Sequence, residues 1–253
     1  MICYDTPDRK QGNAFAEQVI APQPDCDLNS QLTIGGLLRL TQQAGMDQCE
    51  ALGVGTDYML RFHTAWMLAR LSVESYLPIL EDSKLKVVTE PSIPSRATYK
   101  RVTSFYHQDG KLAAQVDARW VLADLQNRKI LRQPPEGMQL PFFSLVETEH
   151  RVEIVRADSL ESCGQVRACY SRVDLNGHLN NTRYADIICD ALPLSLWDNG
   201  GRVRKMVIYY RNELPLGQSM ELSLGRCDYH GSAAWYLVGT AQEKRCFEAN
   251  VLF

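Results

Sequence analysis

A short segment occurs twice in this chain, and both copies stand directly before a helical pattern. Asp27-Leu28-Asn29-Ser30-Gln31-Leu32 matches Asp174-Leu175-Asn176-Gly177-His178-Leu179. Farther on, Tyr76-Leu77-Pro78 matches Glu213-Leu214-Pro215, and residues 118–122 hold the place of residues 249–253. Agreement in order and context predicts a duplicated domain.

Each copy reads as one helix followed by antiparallel strands. In the first, Ile34, Leu37, Leu38, Thr41, Gly45 and Gln48 share one face at helical spacing, and Leu40, Ala44 and Cys49 widen it. The pattern starts at Leu32, and Gly53 and Gly55 stop it. Runs at 64–76, 83–91, 97–107 and 112–124 read as strands, with Gln108-Asp109-Gly110 as a hairpin turn and a short strand at 130–132. In the second copy, residues 169–173 read as a strand end. Tyr184, Ile187, Ile188, Ala191 and Leu192 then repeat at helical spacing, and strands follow at 204–211, 219–228, 233–240 and 248–253. The stretch at 133–150 is rich in proline and reads as a linker. The expected partition is a first domain over 1–133, a linker over 134–150 and a second domain over 151–253, in the α+β class.

The mismatches between the copies carry the chemistry. Gln31 stands opposite His178, and Tyr76 opposite Glu213. A titratable pair survives in one copy only, which predicts one catalytic half and one half given to another task. Asp174, Asn176 and His178 sit at every second position and precede a helix, where a turn can present all three. An Asp-x-Asn turn alone is an ordinary helix cap. Asn180, Asn181 and Tyr184 read as helix start and first core contact, Asp190 as a solvated helix residue, and Cys189 as core. His63, His107, His150 and His230 have no partnering motif.

Composition narrows the classes. The formal net charge of -3 does not suggest a nucleic-acid binder. None of the eight cysteines has a C-x-x-C partner, so no metal site is expected, and scattered thiols suit a reducing compartment. The first residues lack a signal-peptide pattern. No apolar run approaches the roughly 18 residues of a membrane span. The expectation is a soluble, cytoplasmic protein without a cofactor.

One helix wrapped by an antiparallel sheet, present twice, resembles the double hot-dog fold. The residues resemble the acyl-acyl-carrier-protein (acyl-ACP) thioesterases of plant plastids and bacteria. The likeness runs through GGLLRLTQQAGMDQCEALGV, the strand at 66–76 and DARWVLADLQNRKILRQP in the first half, and VDLNGHLNNTRYADIICDALP and IYYRNELPLGQSMEL in the second. The resemblance implies hydrolysis of fatty acyl-ACP to free fatty acid and ACP, with Asp174, Asn176, His178 and Glu213 as the catalytic set. Either Glu213 or His178 takes the proton from water. Many plant members carry a cysteine after that glutamate; here it is Leu214, so a thiol cannot act at that position.

The resemblance further implies that the first half holds the acyl chain, with Ile34, Leu37, Leu38, Thr41 and Trp66 as candidate lining. Two basic clusters, Arg202 with Arg204 and Lys205, and Arg128 with Lys129 and Arg132, are candidate docking points for the acidic carrier protein. The absence of a plant-type leader points to the bacterial type. Rival readings are an acyl-CoA thioesterase on the same fold, a non-catalytic acyl-binding module and a hot-dog dehydratase. The duplicated chain is already a pseudo-dimer, so either a monomer or a homodimer is expected.

Overall fold

The computed structural model describes residues 13–253. The first helix, α1 (Ile34–Ala51), begins two residues later than its apolar pattern suggests. Leu32 is held in extended form, its N–H donated to the Ile79 carbonyl at 2.7 Å. Thr33 then caps the helix, its hydroxyl accepting from the Gly36 N–H at 3.0 Å. The helix buries Ile34, Leu37, Leu38, Thr41, Ala44 and Gln48, as its spacing predicts. Gly53 follows in the left-handed region at φ +70°, open to a residue without a Cβ. A second helix, α2 (Thr56–Arg61), has no periodic signature in the sequence, since at six residues it is too short to show one.

The first half supplies strands β1 (Phe15–Ile20), β2 (Thr64–Ser75), β3 (Lys84–Pro91), β4 (Thr98–His107), β5 (Leu112–Asp124) and β6 (Lys129–Leu131). The second supplies β7 (Glu161–Arg167), helix α3 (Arg183–Asp190), β8 (Lys205–Tyr210), β9 (Ser219–Asp228), β10 (Ala233–Ala241) and β11 (Lys244–Leu252). The strand β7 is silent in the sequence, because its residues are mostly exposed and carry no apolar alternation. Residues 170–172, expected as a strand end, form one 3-10 turn instead.

All strands join one antiparallel sheet in the order β1-β3-β4-β5-β2-β8-β11-β10-β9-β7, with β6 on β5. Read outward from the centre, each half runs through its strands in the same order. This is the duplication expressed as topology, a double hot-dog fold. The halves meet where β2 pairs with β8, from Arg70 opposite Tyr209 to Glu74 opposite Lys205.

One apolar core spans both halves. It takes Leu37 and Leu38 from α1, Tyr184, Ile187 and Ile188 from α3, and Leu71, Met206 and Phe247 from the sheet. Each such side chain, fully buried, contributes about 1.5–3 kcal/mol. The two helices touch at Gly35, where an added Cβ would lie 1.7 Å from Asp186 Oδ1. Arg39 seals the contact, 2.7 Å from Asp25 and 2.9 Å from Asp186.

Between Leu131 and Glu161 the chain forms no helix or strand. It lies as a strap: Met138 and Phe142 pack against Val54 and Met59 beside α2, and the later residues run along the sheet. Ser144 bridges to Ser92, and Thr148 donates to Asp117. Tyr209 donates to the Val152 carbonyl at 2.7 Å, and Asn250 exchanges two hydrogen bonds of 2.8 Å with Val155. His150 is buried within this strap beside the Tyr76 hydroxyl at 3.3 Å.

Candidate active site

The repeated segment folds into the same turn in both halves. Asp174 Oδ1 accepts from the Asn176 N–H at 2.9 Å, and the Asp174 N–H donates to the His178 carbonyl at 3.0 Å. In the twin, Asp27 Oδ1 accepts from Asn29 at 2.8 Å and from Gln31 at 3.0 Å, and the Asp27 N–H donates to the Gln31 carbonyl at 2.8 Å. The turn needs a left-handed residue, met by Gly177 at φ +75° and by Ser30 at φ +56°. Glycine meets it without strain, and serine does not.

Backbone bonds bring the segment that carries Glu213 alongside. Leu179 donates to the Leu214 carbonyl and Leu216 to the Gly177 carbonyl, both at 2.9 Å, and His178 forms a bridge with Pro215. Glu213 is thereby set beside the imidazole, with His178 Nε2 3.4 Å from Glu213 Oε2. The His178 side chain is 29% exposed and that of Glu213 49%, so water reaches both. The neighbouring Leu214 is fully buried in the core.

The same bonds correct the register of the repeat. In the first half, Leu32 donates to Ile79 and Glu81 to Ser30. Ile79 is therefore the counterpart of Leu214, and Pro78, rather than Tyr76, that of Glu213. The shared Leu-Pro pair misleads because the two segments differ in where they leave their strands.

Backbone N–H groups at the head of α3 are already engaged. Thr182 N donates to Asn180 Oδ1, Arg183 N to the Asn180 carbonyl and Asn180 N to the Arg172 carbonyl, each at 2.9 Å. The Asn176 carboxamide is different: among the described residues its side chain has no hydrogen-bond partner. Asn176 lines a cavity of about 320 Å³ whose other walls belong to the first half.

That cavity runs along α1 past Thr41, Gly45 and Cys49, against Met59 of α2 and Trp66 and Tyr99 of the sheet. Of the five residues expected to line an acyl tunnel, Thr41 and Trp66 line this cavity. Ile34 and Leu37 line a second cavity, of about 380 Å³, on the other side of α1, and Leu38 lies in the core. Met59, Tyr99 and Phe142 went unnamed in the sequence. The run Val54–Met59, with apolar ends and a Gly-Thr-Asp helix start, was the one available signal.

The basic clusters separate. Arg202 donates to the Ser75 and Tyr76 carbonyls at 2.9 Å, and Lys205 pairs with Glu74 at 2.9 Å, so both brace the junction of the halves. Arg204 is exposed. Arg128, Lys129 and Arg132 are exposed around β6, just past Leu125, which lines the first cavity. Among the described residues no group of three or more His, Cys, Asp or Glu is placed to hold a metal ion. No helix there is long and apolar enough to cross a membrane.

Two hot-dog units on one sheet, with His178 and Glu213 at the turn of one and Gln31 and Pro78 at the matching turn of the other, define an asymmetric double hot-dog protein. The chain belongs to the acyl-ACP thioesterase family: residues 12–140 match that family's N-terminal domain and residues 155–244 its C-terminal domain. It is 19% identical over 226 residues to the chloroplastic oleoyl-acyl carrier protein thioesterase 1 of Arabidopsis thaliana, a match covering 81% of this chain and 61% of that protein. The chain thus spans about three fifths of the length of that relative. Among solved structures it is similar to an oleoyl thioesterase of Lactobacillus plantarum (TM-score 0.81, 19% identity, 95% of each chain). It is also similar to an acyl-ACP thioesterase of Bacteroides thetaiotaomicron (TM-score 0.78, 22% identity, 95% of this chain and 98% of that one).

Proposed function

We propose that this protein hydrolyses fatty acyl-ACP thioesters, releasing free fatty acid and the carrier's thiol. The observation that carries the reading is the His178–Glu213 pair at 3.4 Å, two residues from an Asn176 that faces a largely apolar cavity. The acyl chain enters that cavity, and each buried CH₂ contributes about 0.8 kcal/mol. The thioester carbonyl then rests at Asn176, whose free N–H groups take the charge that develops on its oxygen. Water held beside both His178 and Glu213 loses a proton to this pair and attacks the carbonyl carbon. The tetrahedral intermediate expels the thiolate, and the pair returns the proton to it. Asp174 holds the turn that aims Asn176 and His178.

Carrier protein is the proposed partner, and Arg128, Lys129 and Arg132 its favoured docking points, because they flank the first cavity. The seven cysteines of the described residues are all free, which supports work in the reducing cytoplasm. The β2–β8 pairing supplies the interface that two separate hot-dog chains would make, so a monomer suffices. Thiol release from matched acyl-ACP and acyl-CoA substrates of graded length tests the reading. Release from ACP at ten-fold or greater kcat/KM is expected; a preference for CoA would move the substrate assignment, and no release from either would refute hydrolysis.

A further inference from the structure

The mechanism leaves the second cavity unused. It lies where the internal repeat places a counterpart of the first: the twin turn Asp27–Gln31 fronts it, and α3 and the segment Leu194–Gly200 wall it. Pro78 stands there in the structural place of Glu213, and Gln31 in that of His178. The turn keeps its shape, but neither substitute can exchange a proton near neutral pH. Such a pocket can hold a ligand of the substrate's kind and cannot hydrolyse it.

Its walls name the ligand class. Leu32, Ile34, Leu37, Ile79, Leu194 and Trp197 supply apolar surface for a chain. Arg202 supplies a cation. Its guanidinium donates to neutral acceptors only, the Ser75 carbonyl and hydroxyl and the Tyr76 carbonyl, all at 2.9 Å. Among the described residues no carboxylate lies within ion-pair distance of it. Burial and the nearby Arg204 both press its pKa down, with no acid offsetting them. The acids on the wall are committed or peripheral: Asp27 holds its turn, Asp186 pairs with Arg39 and Arg183, and Asp190 is exposed at the end of α3.

We propose that this cavity is a second, non-catalytic site for a long-chain fatty acid, its carboxylate on Arg202 and its chain along the apolar wall. That this ligand is the enzyme's own product rests on the hydrolase reading above; the binding itself does not.

The test uses the whole chain and a long-chain fatty acid carrying a photoactivatable diazirine, with adducts mapped by mass spectrometry. Adducts are expected in two regions, along the first cavity and within residues 194–203. The matching fatty alcohol and fatty amine should label the second region at least five-fold less than the acid. Arg202→Gln should lower acid labelling there at least five-fold and leave the first region unchanged, and Arg202→Lys should retain it. If Arg202→Gln does not fold, the comparison of acid, alcohol and amine on the wild type decides alone. Labelling confined to the first cavity, or an alcohol or amine that labels the second region as well as the acid, overturns the proposal. Thiol release on the same preparation separates the two readings. Release without second-region labelling defeats this site alone, and second-region labelling without release defeats hydrolysis alone.

Discussion

The imidazole of His178 and the carboxylate of Glu213 meet at 3.4 Å because a backbone bridge joins their segments, not because either side chain reaches far. If they act as one proton-handling unit, removing either should cost about 10²-fold or more in kcat, with KM little changed. The double variant His178→Ala with Glu213→Gln should then be no worse than the poorer single. Steady-state thiol release measures all three. Independent, multiplying losses would show that the two do not share one step.

Leu214 bears on the nucleophile question. Its side chain is fully buried, facing the core rather than the imidazole. Leu214→Cys should therefore restore no turnover to Glu213→Gln, and should cost about 1–3 kcal/mol from the space it leaves. Recovery of thiol release in that double variant would mean that the position does address the substrate.

Gly35 should tolerate no side chain. A Cβ there meets Asp186 at 1.7 Å, so Gly35→Ala must part α1 from α3 or break the Arg39 pairing. Overpacking of this kind costs about 1–3 kcal/mol. A lowered Tm is the expected readout; an unchanged Tm would show that the helices shift freely.

Acid should act through Glu248. Burial alone would raise its pKa, but hydrogen bonds from Arg156, Tyr236 and Arg211 outweigh that and hold it at about 2. A depressed carboxyl stabilises the fold above its unfolded pKa and loses that contribution as pH falls from about 4.5 to about 2. With solvent screening of the outer arginines allowed for, the loss is on the order of 2 kcal/mol. Urea midpoints between pH 6 and 3 should fall more steeply for wild type than for Glu248→Gln, which starts lower. Parallel curves would remove Glu248 from the explanation.

Acyl length should be read by the first cavity. Cys49→Phe fills space along α1 and should cut turnover of the longest acyl substrates about ten-fold more than that of the shortest. Leu37→Met, on the other side of the same helix, should leave the length profile as it is. The reverse outcome would move the acyl chain to the second cavity.

The helical spacing of α1 and the alternation of the long strands were readable because each presents a continuous buried face. The turn at Asp174 and its twin were readable because short polar side chains at fixed positions satisfy local N–H groups. The pairing of Glu213 with Pro78 was not, since it depends on where two strands end. Nor was the split of Ile34 and Leu37 from Thr41: all three are apolar-face positions, and only the packing of α2 and α3 decides which cavity each meets. The strap is equally silent in sequence, because its bonds run to residues far away along the chain.

Pairing β2 with β8 within a single chain has a consequence for inheritance. In a dimer of identical chains, every substitution is made twice and both pockets change together. Here each pocket answers to its own codons, so one can lose its imidazole and carboxylate, shorten its helix and reshape its walls while the other keeps its chemistry untouched.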